Sequence, residues 1–167
     1  MRVTVRNYEI HAWEDLITGV VLAEDNDWIL LHELPSDYTL DGYLLVNKSQ
    51  ISEHFADDDS EQKALVLKLR NYKPTLPEGF ELGRIEDMLR YIENKFHLFG
   101  IQDEEDILRV GFIQSMVANE LRLHHIAPDG IPDPSIVMPI FFTDIQTVSF
   151  NTDYLNAVYL LHQHEGA

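Results

Sequence analysis

Residues Ile17–Phe55 read ITGVVLAEDNDWILLHELPSDYTLDGYLLVNKSQISEHF, and the same text returns, altered, at Leu108–Phe150 as LRVGFIQSMVANELRLHHIAPDGIPDPSIVMPIFFTDIQTVSF. Gly19 aligns with Gly111, Leu31 with Leu123 and His32 with His124, each 92 residues apart. A longer turn in the second stretch then moves Ile51 onto Ile145. Whatever one stretch folds into, the other is expected to fold into as well.

Within the first stretch, Ile17–Ala23 is rich in β-branched residues and interrupted by Gly19, and a glycine inside a strand marks a bend or a close backbone approach. Glu24-Asp25-Asn26-Asp27 is a tight polar turn, since Asn and Asp tolerate left-handed backbone. Trp28–Leu34 returns as the partner strand of a hairpin. Pro35–Tyr38 forms a loop and Asp41-Gly42 a turn, and Tyr43–Asn47 is the next strand. A short turn through Lys48-Ser49-Gln50 leads to a closing strand, Ile51–Phe55. Ahead of this block, residues 3–13 alternate as a further strand with Val3, Val5, Tyr8 and Ile10 as its apolar members.

Between the two stretches, Ala56–Gln62 is a charged excursion, and Lys63–Arg70 alternates through Leu65, Leu67 and Leu69 as a strand. Residues 71–79, with Pro74 and Pro77, compose the best linker in the chain. Leu82–His97 is the clearest helix: Ile85, Met88, Leu89, Ile92 and Phe96 fall on one stripe. Leu98–Gln102 opens the second sheet. A hairpin of Ile107–Ser115 with Asn119–Ala127 follows, then Ser135–Phe142 and Gln146–Phe150. A last helix, Asp153–His162, is capped by Asn151 or Thr152 and turns Tyr154, Leu155, Val158 and Leu161 inward.

The order of bent hairpin, strand, one-turn connection and closing strand resembles small SH3-like barrels. Gly19-Val20-Val21-Leu22-Ala23-Glu24-Asp25 is similar to the first motif of the Sm-like family, in which a bend glycine precedes an acidic turn. The helix Leu82–His97 ahead of the second stretch is a further Sm-like feature, and the two likenesses together span most of the chain. The pattern also resembles an uncharacterised bacterial family that ends in an aromatic strand and a Tyr-Leu helix. The resemblance implies a mainly β protein of two five-stranded SH3-like or Sm-like barrels, with one helix between them and one at the C-terminus. Residues 1–72 would be the first barrel, 73–81 a linker, and 82–167 the helix, second barrel and final helix. The RNA site of the Sm family does not carry over. Its asparagine would fall near Ile29 or Leu121, and its Arg-Gly pair is replaced by Lys48-Ser49-Gln50 and by Phe142-Thr143-Asp144. A divergent RNA-associated role is what the resemblance alone would imply.

Composition narrows the function. Twenty-nine Asp and Glu against twelve Lys and Arg give a net charge of −17, with no run of cations anywhere. Nucleic acids and anionic membranes are therefore disfavoured as partners. No apolar run approaches the roughly 20 residues that span a bilayer, and the first residues lack the apolar core of a secretory signal. The expected location is the cytoplasm. The absence of cysteine excludes disulfides, thiolate metal sites and a cysteine nucleophile.

Catalytic patterns are missing too. No serine sits in a Gly-x-Ser-x-Gly elbow, and no glycine-rich loop runs into Lys-Ser/Thr. Asp57-Asp58-Asp59 lacks the spaced ligands and turn glycine of a calcium loop. His124 and His125, adjacent in a strand, point to opposite faces and cannot share one metal simply. No cofactor and no metal are expected.

The remaining candidates are Trp28, Tyr38, Asp41 and Tyr43, which flank the acidic turn and the following loop. Aromatics bordered by acids suit basic or proline-containing peptides in SH3-like barrels. The expectation is a non-enzymatic binding or adaptor module whose partner is another protein, a basic one in the sharpest form. An acidic inhibitor or immunity protein covering a basic enzyme site is the alternative, and self-association is open to a fold with strand edges.

Overall fold

The computed structural model describes residues 2–166, and the side chains of all of them except 136–138. The chain divides into two compact units, Met1–Leu82 and Gly83–Ala167. Both are antiparallel and the protein is mainly β, as the alternation of apolar residues predicts.

The first unit contains β1 (Val5–Ile10), β2 (Ile17–Glu24), β3 (Trp28–Glu33), β4 (Tyr43–Asn47), β5 (Ile51–Phe55) and the helix α1 (Asp58–Leu69). Its strands lie in the order β5-β1-β2-β3-β4. A single 3-10 turn, Lys48–Gln50, connects β4 to β5 and is capped by the Asn47 side chain, which accepts from the Ser49 N–H. Tyr8, Ile10, Ile17, Ile29, Leu31, Leu44 and Val46 form one buried apolar cluster. Val20, Leu30 and Leu45 are buried as well, and they alternate with cluster members along their strands. The central strands therefore bury both faces, which explains their nearly continuous hydrophobic runs.

The stretch expected as a strand at Lys63–Arg70 is instead the second half of α1. Asp57 caps the helix: its carboxylate accepts from the Ser60 N–H at 2.8 Å, while the Asp57 N–H donates to Ser60 Oγ at 2.7 Å. Acids at 58, 59 and 61 occupy the end where unpaired N–H groups favour negative charge. With those groups satisfied, a run of good helix formers continues as helix. The alternation of Leu65, Leu67 and Leu69 misleads because only Leu67 is buried. Residues 73–81, expected as a linker, lie within the first unit, where Phe80 is buried and its N–H donates to the Pro77 carbonyl.

The second unit contains α2 (Ile85–Phe96), β6 (Phe99–Glu104), β7 (Ile107–Val117), β8 (Glu120–Ile126), β9 (Pro132–Phe141), β10 (Thr147–Phe150) and α3 (Asp153–Glu165). The strand order is β10-β6-β7-β8-β9, the counterpart of the first unit. Met88, Leu89 and Ile92 bury the stripe of α2, and Phe96 packs on Phe150. Thr152 is the cap of α3, accepting from the Leu155 N–H at 3.1 Å. Leu155 and Val158 face inward as expected, but Tyr154 and Leu161 do not: both are nearly half exposed.

Neither set of five strands closes on itself. No ladder joins β4 to β5 or β9 to β10 among the described residues, so each unit is an open five-strand order rather than a hydrogen-bonded barrel. The pairing registers of the units nevertheless coincide. Gly19 faces Glu33 and Gly111 faces His125; Val21 faces Leu31 and Ile113 faces Leu123. Each hairpin then bulges at the same step, Val21/Ala23 and Ile113/Ser115. A Cβ on Gly19 would stand 2.8 Å from the His32 carbonyl oxygen, and one on Gly111 would overlap that of His124. Close backbone approach, not turn conformation, is what fixes these two glycines.

Candidate functional site

The four residues singled out by sequence do not form one surface. Trp28 is buried at the start of β3, opposite Asn47. Tyr43 pairs with His32, four residues further along the same strand and so about 13 Å away. Tyr38, Asp41 and Tyr43 gather at that far end, and Trp28 belongs to the other.

Local structure explains the grouping. A tight turn, in which the Thr39 N–H donates to the Ser36 carbonyl, carries Tyr38 out against α1. There Gln62 Nε2 donates to the Tyr38 hydroxyl at 3.1 Å, and the Arg70 guanidinium stands 6.0 Å from its ring. The chain then turns back: the Asp41 N–H donates to the Glu33 carbonyl, and the Glu33 N–H to that of Gly42. This brings the carboxyls of Glu33 and Asp41 to one mouth of the β3–β4 pair. Burial, reinforced by the Asp41 charge, pushes Glu33 up to about 7.

On the opposite face of β3, His32 is clamped between two tyrosines. Its ring stacks on Tyr43 at 5.3 Å, and its Nδ1 lies 2.8 Å from the Tyr72 hydroxyl. Burial holds His32 below its ordinary value, against the opposing pull of Asp41. The Tyr72 phenol is driven up to about 12 by burial and by Tyr43, so it stays a neutral hydroxyl. This arrangement can hold a turn rigid and present one carboxyl near its titration point. Sequence reading missed Glu33 and Tyr72. The only signal for Tyr72 was its aromatic character in a Pro-rich stretch, and its partner lies 40 residues away.

The outer face of α1 completes the neighbourhood. Leu65 and Leu69 are 55% and 73% exposed, and they follow Gln62 at helical spacing, beside the residues that hold Tyr38. Asp58 and Glu61 stand at the N-terminal end of the same face, two turns and one turn before Leu65 respectively. The helix is tied to the sheet at that end, where Asn7 Nδ2 donates to Asp57 and Asn7 Oδ1 accepts from Thr18.

Among the described residues, six of the twelve Lys and Arg are ion-paired. Lys48, Lys63, Arg84, Arg90, Arg109 and Arg122 each lie within ion-pair distance of a carboxylate. The second unit has a different histidine cluster: His97 stacks on Tyr159 at 4.4 Å, and His162 packs on Phe112 while its Nδ1 lies 2.9 Å from the Gly130 carbonyl oxygen. Among the described residues no set of His, Asp and Glu is gathered as metal ligands, and no helix is long and apolar enough to cross a membrane.

No protein-family model matches this chain, and no curated protein or solved structure does.

Proposed function

We propose that this chain is a non-enzymatic, cytoplasmic protein-binding module whose first unit docks a basic partner through the outer face of α1. The observation that carries the reading is the exposed pair Leu65 and Leu69, set between the acids Asp58 and Glu61 and the anchored ring of Tyr38. Each leucine gains on the order of 1–2 kcal/mol when a partner removes it from water, and the acids add long-range attraction for a basic surface. The strand order shared by the two units supports kinship with SH3-like or Sm-like folds, which here would supply the scaffold and not the RNA chemistry.

The test is capture from lysate on immobilised chain, with washes of rising salt and with both protein and RNA identified. The reading expects a basic protein that is released by salt and is lost with the double variant Leu65→Asp, Leu69→Asp. Equal capture by that variant, or recovery of RNA instead, would overturn it.

A further inference from the structure

A groove of about 560 Å³ lies between β1, β2, β5 and the turn after β4. Volumes of roughly 300–1,000 Å³ with an apolar floor and a few convergent polar groups are typical of small-molecule sites. Val21, Ile29 and Ile51 supply the apolar part of the lining. Arg6, Lys48 and His54 supply the polar part, with Glu24 and Glu53 among their neighbours.

The charges are not equivalent. Lys48 Nζ sits 2.8 Å from Glu24 Oε1 and also donates to the Asp25 carbonyl, so it is neutralised and fixed. Glu53 faces Glu9 across the β1–β5 pair, and hydrogen bonding between the two exposed carboxyls holds Glu9 above the ordinary range. Among the described residues no carboxylate stands within ion-pair distance of Arg6, whose Nη1 lies 3.2 Å from His54 Nδ1. A guanidinium can only donate, so in this contact the His54 Nδ1 accepts. The His54 ring is in turn held by Tyr8, 6.3 Å away between centroids. Arg6 is thus oriented by a partner that does not cancel its charge, and the rest of its donor fork is available.

We propose that this groove binds a small monocarboxylic acid with an apolar body, the carboxylate on Arg6 and the body on the partly exposed Val21 and Ile51. The planar fork of arginine matches a carboxylate, and the pairing is stronger than a neutral hydrogen bond. One uncompensated cation suits one negative charge. A phosphate dianion carries a second negative charge, and among the described lining residues the other cation, Lys48, is already paired with Glu24, which separates this site from a phosphodiester site although Ile29 and Lys48 border it. The inference is independent of docking on α1.

The test is a titration of the full chain followed by amide and arginine side-chain NMR, with phenylacetate, phenylacetamide and inorganic phosphate as probes. Phenylacetate should shift Arg6 and the groove amides saturably, and the neutral amide and phosphate should bind more weakly by about tenfold or more. Arg6→Gln should weaken phenylacetate by a similar factor, and Ser52→Trp, placed at the exposed rim, should block it while the spectrum stays folded. Unchanged binding in both variants, equal binding of the amide, tighter binding of phosphate, or no shift at about 10 mM phenylacetate, far above useful affinity, would each overturn the proposal.

Discussion

The hairpins β2–β3 and β7–β8 share a register and a bulge but are finished differently. In the first, His32 is half buried, stacked on Tyr43 and bonded to Tyr72. In the second, the residue at the same register position, His124, is exposed and meets Phe112 only edge-on at 6.4 Å. Position 33 holds a partly buried carboxyl, and its counterpart opposite Gly111 is His125. The outer strands diverge as well. β9 carries Pro132, Pro134 and Pro139 and pairs with β8 alone, whereas β5 pairs with β1 alone and has no proline. Prolines remove the N–H donors through which an edge would recruit another strand. Backbone geometry is therefore common to the two units, while the side-chain chemistry that could serve recognition is concentrated in the first.

The shared backbone is the part whose disruption should cost most. Gly111→Ala drives a Cβ into the His124 carbonyl, and Gly19→Ala places one 2.8 Å from that of His32. Urea unfolding should show losses of about 3 and about 1.5 kcal/mol respectively. Trp13 and Trp28 both lie in the first unit, so their fluorescence reports Gly19→Ala, and amide exchange serves for Gly111→Ala. Equal effects would mean the two crossings are not as different in closeness as they stand.

The histidines should separate next. His32→Ala removes a stacked ring and leaves the Tyr72 hydroxyl without its partner, at a cost of about 2 kcal/mol, whereas His124→Ala should stay within about 0.5. Glu33 gives a pH test of the same contrast. Its folded value near 7 lies above the ordinary 4.5, so the folded state keeps a proton that the unfolded chain has released between those values. Stability from this group is full below about 4.5 and is lost as pH rises through about 7. The loss should be on the order of 1–2 kcal/mol after allowance for solvent, and Glu33→Gln should flatten it. Smallest of all on stability, within about 0.5 kcal/mol, should be Leu65→Asp with Leu69→Asp, because neither side chain is buried.

What the sequence made legible follows from local chemistry. The glycine, leucine and histidine positions spaced 92 apart mark the two hairpins, and the 3.6-residue stripe marks α2, because close approach and helical burial write themselves into neighbouring residues. The helix α1 escaped notice because its three leucines alternate as in a strand, and its capping box uses Ser60 where a longer acid is the usual signal. The site was only partly readable for a related reason. Asp41 and Tyr43 sit beside Glu33 and His32 as the turn suggests, but Tyr38 depends on α1, and the Arg6–His54 pair joins residues 48 apart. Trp28 looked available because acids flank it, yet strand pairing buries it.

The most direct test of the central claim, that recognition belongs to the first unit, is photo-crosslinking from two matched positions in lysate. Benzoylphenylalanine at Leu69, 73% exposed on α1, is compared with the same group at Val117, 70% exposed at the tip of β7. The account predicts a salt-sensitive adduct with a basic protein from position 69 and none from 117. Adducts with the same protein from both positions, or from 117 alone, would contradict it.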